Sequence, residues 1–580
     1  MSQIETLSAR LTRWVNRLHA RGAAWAQPAG GFVSQPEPRT IGTFARGRQL
    51  VAGNFLFAGA LVEDKDNSIW QIPMPDLQFE EEVHGFRWLD DLAAVGDAAA
   101  RQRAQDWTVE WIETFGRGSG AGWTPDLTGR RLIRWINHAI FLLNGQPSEV
   151  SRAYYASLGQ QVVFLSRRWK SASAGLPRFE ALTGLIYAGL ALSGMEPRMD
   201  PAISALAREC GRQIDDDGGI PTRNPEELLE VFTLLNWAAS ALSEAGKIAA
   251  SEHLDAIARI APTLRALRHC DGGLARFHGG GRGAEGRLDH ALATSGIKAL
   301  MPDGLAMGFA RLHGGRTSLI IDAAPPPAGR ASSNAHASTL AFELTSGRRP
   351  LIVNCGSGVS FGRDWRRAGR ATASHSTVAL EGRSSAQLGR KTLIGGHERE
   401  LLRNGPVDVR VQFLVDSGVH GLVAGHDGYL ASHGLTHIRR IEVAPTGRSI
   451  SGEDTLAAIE PSDQKVFDRM MDRLNLQGIR FKAHFHLHPD VDAELDMGGA
   501  AVSMALKSGE IWVFRHDGTA RLSLEPSVYL EKGRLKPRAT KQVVLSATAL
   551  EYATRIRWSL SKAQFTPDAV RDLNRDDDLL

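Results

Sequence analysis

The sequence predicts an α+β multidomain fold: an N-terminal incomplete (α/α) toroid over residues 1–300, a C-terminal antiparallel β-sandwich over 301–570, and an acidic tail at 571–580. Three observations carry this. The chain has 580 residues, too many for one hydrophobic core. Before residue 300, apolar residues recur at three- and four-residue spacing in one segment after another, with Gly- and Pro-rich turns between them. From Leu305 on, short alternating runs punctuated by Gly, Asp, Asn and Pro take over.

The N-terminal stretch MSQIETLSARLTRWVNRLHARG reads as an amphipathic helix without the continuous apolar core of a secretory signal. Trp88-Leu89-Asp90-Asp91-Leu92 begins a helical segment that runs through Trp107 and Trp111, and 132–143 forms another helix, ended by Asn144-Gly145. Further helices are expected at about 151–169, 178–193, 201–213, 225–243 and 250–268. Helices joined by short loops pair antiparallel, and several such hairpins in a row suggest the toroid. Ten of the thirteen tryptophans precede residue 300; they are expected to fill the helical core, with a few free to line a cleft as platforms for sugar rings. The boundary between the halves is expected within 279–302, where Gly279-Gly280-Gly281-Arg282-Gly283 reads as a mobile loop. That loop lacks the Gly-Lys-Ser/Thr ending of a phosphate loop. Strands are expected at 317–321, 339–344, 351–353, 376–380, 407–415, 438–443, 481–487, 511–515 and 541–547, the pattern of a large sandwich.

Composition narrows the function. The net charge is +4 and basic residues are spread along the chain, unlike the concentrated basic face of a nucleic-acid binder. No run of about 18 apolar residues is present, so no membrane span is expected. Cys210, Cys270 and Cys355 form no CxxC pair and read as buried free thiols.

The most informative stretch is 331–344. Read as a strand, it places Asn334, His336 and Ser338 on one face, since side chains alternate. The runs 350–356 and 373–380 then bring Asn354 and His375 into reach of His336. Two imidazoles and an amide in one pocket are costly to bury without partners, which makes them site candidates. Elsewhere, Arg223-Asn224-Pro225-Glu226-Glu227 reads as a helix N-terminus, with Asn at the cap, Pro at the first position and acids in the first turn. That reading leaves Arg223 and Glu227 open. Trp365-Arg366-Arg367-Ala368-Gly369-Arg370 offers planar guanidinium forks suited to sugar carboxylates or sulfates. His484-Phe485-His486-Leu487-His488 reads as a half-solvated strand with Phe485 and Leu487 turned inward, and His433 and His437 are not a helical metal pair because Gly434 lies between them.

His336 with Phe342-Glu343-Leu344, Pro350-Leu351-Ile352-Val353-Asn354 with Gly356, and His375-Ser376-Thr377-Val378 resemble the C-terminal signature of the heparinase II/III family of polysaccharide lyases. Gly85-Phe86-Arg87-Trp88-Leu89, Trp135-Ile136-Asn137-His138, Asp217-Gly218-Gly219 and Gly425-His426-Asp427-Gly428-Tyr429 extend the resemblance over nearly the whole chain. It implies β-elimination of an acidic, uronic-acid-containing polysaccharide in a cleft between toroid and sandwich. A base takes the proton α to the carboxylate, a cation neutralises the growing charge and an acid protonates the leaving oxygen.

The site residues match that family in part. Where it has Asn-His-x-x-Glu, this chain has Leu176-Pro177-Arg178-Phe179-Glu180, and the resemblance implies Arg178, one residue from the missing His, as carboxylate neutraliser and Glu180 as its orienter. Glu227 stands where a tyrosine is expected and Asn334 where a histidine is common. The resemblance implies His336 as base or metal ligand, with His375 as its partner. Arg223, Asn224, Arg367 and Arg370 are expected to contact the sugar. In some members two histidines and an aspartate bind a divalent ion; here His336, His375 and Asn354 take those positions, for one Zn²⁺ or Ca²⁺. Two alternatives stay open: a non-catalytic glycan-binding protein on a lyase scaffold, and a hydrolase using Glu180 and Glu227 as paired carboxylates. The resemblance implies the periplasm or cell envelope; the N-terminus, lacking a signal, implies the cytoplasm.

Overall fold

A computed structural model describes residues 7–25, 29–34, 38–301, 304–394, 397–416 and 419–563. The expected acidic tail lies outside the described residues. Helices dominate as far as Arg287–Ser295, and sandwich strands begin at Leu305–Ala306. Ser148–Arg168, Leu176–Ala191, Met199–Gln213, Pro225–Glu244 and Ser251–Ala266 fall within a few residues of the expected helices.

Two expected helices are each broken in two. The Trp88 segment divides into Trp88–Val95 and Ala98–Phe115, because Gly96 takes a left-handed φ of 68° and Asp97 caps the second helix by accepting from Ala100 N–H. The 132–143 segment divides into Pro125–Asn137 and Ala139–Leu143 at His138, whose ring is held 2.9 Å from Asp90. Among the elements that the sequence pattern does not announce are the hairpin Asn54–Phe57 with Ala60–Glu63, the helices Phe44–Val51 and Leu77–His84, the helix Arg287–Ser295 inside the expected boundary, the helix Pro461–Arg473 in the sandwich half, and several strands such as Val419–Tyr429, Ser449–Ala457 and Ala553–Lys562. The N-terminal helix Leu7–Ala23 docks through Asn16, Ala20 and Ala23 and turns Leu11, Trp14 and Leu18 outward. No helix of the described residues is long and apolar enough to cross a membrane.

The sandwich pairs two antiparallel sheets. One runs Arg521–Tyr529, Arg538–Ala549, Ile479–Leu487, Arg349–Val353, Phe342–Ser346, Thr317–Asp322, Phe309–Gly314, Leu305–Ala306, with Val378–Leu380 added beside Ile479–Leu487. The other runs Val409–Asp416, Val419–Tyr429, Leu435–Val443, Ser449–Ala457, Ala553–Lys562, Ile511–His516, Ala501–Ala505, Asp492–Asp496. Between them Trp558 stacks on Phe342 at 5.8 Å and meets Phe485 at 4.9 Å.

The centre of the first sheet, at Thr317–Asp322 and Phe342–Ser346, is buried on both faces. Along Thr317–Asp322 every residue is buried: Leu319 and Ile321 enter the sandwich core, while Ile320 joins the helical core with Met307, Phe309 and Ala341. The alternation of a strand thus serves two cores. It also draws the toroid onto the sheet, and Arg223 and His278 of the helical half meet Asp322 and His336 across this seam. Trp88, Trp107, Trp111 and Trp135 are fully buried in the helical core, as expected.

Four further expectations are corrected. Residues 331–344 are not one strand: Gly329–Ser333 is a 3₁₀ turn, Leu340 has φ 62°, and only Phe342–Ser346 is strand. The loop's backbone is satisfied by side chains and turns instead of a ladder, with Arg370 donating to the carbonyls of Ser332 and Ala335. The glycine stretch is pinned, not loose: Gly281 N–H donates to Glu226 at 2.9 Å and Leu274 N–H to the Arg282 carbonyl at 2.9 Å. Cys270 is exposed; Cys210 and Cys355 are buried. His484, His486 and His488 are all buried, because the Arg521–Tyr529 and Arg538–Ala549 strands supply partners such as Ser527 and Gln542.

Candidate functional site

His336 leaves the 3₁₀ turn with its Nδ1 3.0 Å from His375 Nε2, and His375 Nδ1 lies 2.8 Å from the Ala371 carbonyl. A carbonyl only accepts, so His375 Nδ1 carries a proton, His375 Nε2 accepts, and His336 Nδ1–H donates. His336 Nε2 keeps its lone pair and makes no hydrogen bond among the described residues. Burial pushes His375 down to about 4. Burial, with His375 adjacent, holds His336 well below the usual imidazole range. Both rings are therefore neutral near pH 7.

A second chain joins this pair to the toroid. His336 N–H donates to His278 Nδ1 at 3.3 Å, and His278 Nε2 lies 3.3 Å from Asp322 Oδ2. Asp322 also receives Ser338 Oγ–H at 2.7 Å and Arg223 Nη2–H at 2.6 Å. Burial alone would raise the Asp322 carboxyl; Arg223 and His278 instead hold it well below the carboxylate range.

Arg223 is not a sugar contact. Its five N–H donors face Asp322 and the carbonyls of Met307, Gly308, Ala324 and Pro325, at 2.6–3.2 Å, so none remains. It is a strut across the seam. Asn224 is a cap: its Oδ1 accepts from Glu226 and Glu227 N–H at 3.0 and 3.2 Å, and Gly280 packs against it. Glu227, partly exposed beside Gly175, is pushed up to about 7 by its enclosed setting and by nearby Glu180, against a Thr222 hydrogen bond.

Arg178 and Glu180 do not act together. Two residues apart on a helix, they point about 200° from each other. Arg178 pairs with Glu209 at 3.0 Å and donates to the Ala172 carbonyl, whereas Glu180 accepts from Arg130 at 2.6 Å and lies 3.7 Å from Arg87. Burial raises the Glu180 carboxyl, and Arg130 offsets part of that. Arg87, 44 % exposed and also 3.3 Å from Glu230, is the guanidinium here that reaches solvent. It sits inside the Gly85–Leu89 motif, but nothing in the sequence distinguishes it from a surface arginine.

The expected metal set is not assembled. Asn354 Oδ1 accepts from Ser376 N–H at 3.0 Å, and its Nδ2 faces Glu343 at 3.5 Å. Glu343 is held by Arg276 at 3.2 Å and by His269 at 3.3 Å. What remains is two neutral imidazoles bonded to each other, with no carboxylate. Neither the tetrahedral preference of Zn²⁺ nor the oxygen preference of Ca²⁺ fits these residues. Among the described residues no group of three or more His, Cys, Asp or Glu converges for a metal.

The arginine stretch opens onto a cavity of about 260 Å³ between Asp76–Gln78 of the helical half and the Gln387–Ile394/His397–Arg403 hairpin. Six cations line it: Arg363, Arg366, Arg367, Arg370, Lys391 and Arg399, against Asp76, Glu398 and Glu400. Arg370 is buried and staples the carbonyls of Ser332, Ala335 and Glu400. Arg367 is 60 % exposed and pairs with Glu400 at 3.1 Å. Arg399 makes no hydrogen bond among the described residues; burial and Arg366 push its guanidinium down to about 10. Arg366 donates to Asn334 Oδ1 at 3.0 Å, and Asn334 packs on Gly279, so the cavity adjoins the His336 segment. Arg439 and Arg276, like His278 and Asp322, are positioning groups that the sequence pattern does not announce. Arg439, bidentate to buried Asp454, donates to the carbonyls of Leu340 and Ser376 and holds both site segments; Arg276 does the same for Asn354.

Comparison with known proteins supplies independent information. Residues 297–559 match the family described as heparinase II/III-like, C-terminal. FtsZ-localized protein C of Caulobacter vibrioides is 30% identical over 558 residues, 94% of this chain and 92% of that protein. Heparinase III superposes with a TM-score of 0.68 at 13% identity, over 95% of this chain and 90% of that one. The heparan sulfate lyase HepC from Pedobacter heparinus superposes with a TM-score of 0.55 at 15% identity, over 97% and 89%. At such identities the structural likeness establishes the fold.

Proposed function

The chain belongs to the heparinase II/III family, and from that premise we propose that it binds an acidic polysaccharide along the seam, its charged groups gripped by the arginine-lined cavity. The observation that carries this reading is the division of labour among the arginines. Arg178 and Arg223 are consumed by internal partners. Arg366, Arg367, Arg399 and Lys391 converge on an open cavity with fewer acids than cations. Guanidinium forks pair with carboxylates and sulfates through two parallel hydrogen bonds.

The test is equilibrium binding of the full chain to a panel of uronic-acid oligosaccharides at two salt concentrations. Saturable binding that weakens with salt, and about tenfold further in Arg399→Ala, a loss of roughly 1.4 kcal/mol, is the expected outcome. No binding on a broad panel, or binding indifferent to Arg399→Ala and to Arg366→Ala, refutes it.

A second reading, elimination, is favoured by two observations. His336 Nε2 presents an unprotonated lone pair, and Glu227 keeps a proton up to about 7. In that reading His336 takes the proton α to the uronate carboxylate and shares the positive charge with His375. Arg87 faces the carboxylate as charge builds on it, and Glu227 protonates the leaving oxygen. Near-ultraviolet absorbance of the unsaturated product, lost in Glu227→Gln with binding retained, supports it; binding without any such signal leaves the protein a glycan-binding member on a lyase scaffold. The hydrolytic alternative loses ground, because the Glu180 carboxylate is engaged by Arg130 at 2.6 Å, whereas His336 Nε2 keeps its lone pair. The relative's name couples that protein to FtsZ, and we infer the same neighbourhood for this chain. A fluorescent fusion that fails to coincide with FtsZ counts against that placement.

A further inference from the structure

A second cavity, of about 730 Å³, opens where the end of the Ser251–Ala266 helix meets the 297–301 connection and the Phe309–Gly314 strand. Its wall carries Arg265, Arg268, Lys298 and Arg311 and, among the described residues, no acidic one. Arg265 donates to the carbonyls of Ile297 and Ala299, and Arg311 to those of Ala266 and Arg268. Arg311 thereby covers carbonyls at a helix C-terminus. These bonds fix the cations in place without supplying a counter-ion. Among the described residues, the carboxylate that pairs with this group is Asp289, 2.9 Å from Arg268.

Two polar atoms in the same wall are buried without a hydrogen-bond partner: Arg268 Nε and His269 Nδ1. Buried donors and acceptors are nearly always paired, so two orphans lining one cavity call for an explanation. His269 is 6 % exposed, and its Nε2 lies 3.3 Å from Glu343 Oε2. Glu343 accepts there, so Nε2 carries the proton and Nδ1 offers a lone pair to a donor on whatever enters. Leu292 and Leu300 give the cavity an apolar edge, with Leu300 87 % exposed.

We propose that this cavity is a binding site for a small phosphate-bearing molecule with an apolar group, separate from the groove described above. Arg268 and Lys298 meet the phosphate oxygens, a protonated phosphate oxygen or ligand hydroxyl donates to His269 Nδ1, and the apolar group rests on Leu292 and Leu300. A phosphate monoanion, which keeps the one P–OH that donates to His269 Nδ1, answers the uncancelled charge, and the apolar edge favours an ester over free phosphate.

Calorimetric titration of the full chain with phenyl phosphate and with inorganic phosphate tests this. One saturable site is expected, tighter for phenyl phosphate. Lys298→Ala, an exposed substitution, is expected to weaken it about tenfold, the scale of one charge-assisted hydrogen bond. Arg268→Ala should weaken it further, with melting curves confirming that both variants fold. Arg399→Ala, in the other cavity, should leave it unchanged. Absence of binding overturns the proposal. So does equal affinity for the two probes, or binding that survives Lys298→Ala but falls in Arg399→Ala.

Discussion

Glu227 shows how one carboxyl can be read in two ways. As the third residue of a capped helix it is an ordinary first-turn acid, and the cap is present: Asn224 accepts from its N–H. Its surroundings, however, raise it from about 4.5 to about 7. A folded-state value above the unfolded one contributes stability that is complete below the unfolded pKa and is lost as pH rises through the folded pKa. Glu227→Gln is therefore expected to raise the urea midpoint at pH 8 and leave it unchanged near pH 4.5; an unchanged midpoint at both would show that the carboxyl is not held neutral. The helix cap was legible because it is local. The setting that retains the proton was not, because Gly175 and Glu180 come from a different helix.

At the scale of elements, the seam depends on Arg223 more than on any contact inside one half. It sits at φ 48° just before the Pro225–Glu244 helix and reaches Met307 and Asp322, 84 and 99 residues away in sequence. Arg223→Met leaves a carboxylate buried beside only His278 and Ser338. Breaking a buried pair from one side costs about 3–5 kcal/mol, and a urea melt should show a loss of that order. Adding Asp322→Asn should recover part of it, since the unpaired charge is then gone; a double variant no better than the single would mean that the carbonyl bonds of Arg223 matter more than its charge. The same logic explains why 331–344 is not one strand although its pattern predicts one. Its polar residues alternate as a strand's would, yet Arg370 and Arg366, from a turn thirty-odd residues away, claim its carbonyls.

Over the whole molecule, a band of neutral imidazoles runs through the sandwich side of the seam. His375, His484 and His486 are each pushed down to about 4 by burial, from an ordinary value of 6.5. Depressed values contribute stability that is present above pH 6.5 and lost as pH falls toward 4, because the unfolded chain binds protons that the folded one refuses. Thermal midpoints should fall steadily from pH 7 to pH 4.5, and His375→Gln with His486→Gln should flatten that fall. A profile equally steep in the double variant would assign acid sensitivity to other groups. Core packing makes a complementary expectation: Phe485 touches Phe514 and Trp558 at 4.9 Å between the two sheets, so Phe485→Ala should cost about 3–5 kcal/mol.

By itself the sequence determined the fold class, most of the helices and the central strands, because these follow from the period of apolar residues and from local caps and turns. It also drew His336, His375, Asn334 and the arginine stretch to one region. Only the tertiary structure decided which of those groups are open. Arg178, Arg223 and Asn354 were drawn away by partners distant in the chain and Asn224 by the helix it caps, while Arg87 and Arg399 were left facing solvent or a cavity. The physical reason is that a side chain's type is a local property, whereas its free donors and its pKa depend on every group packed against it.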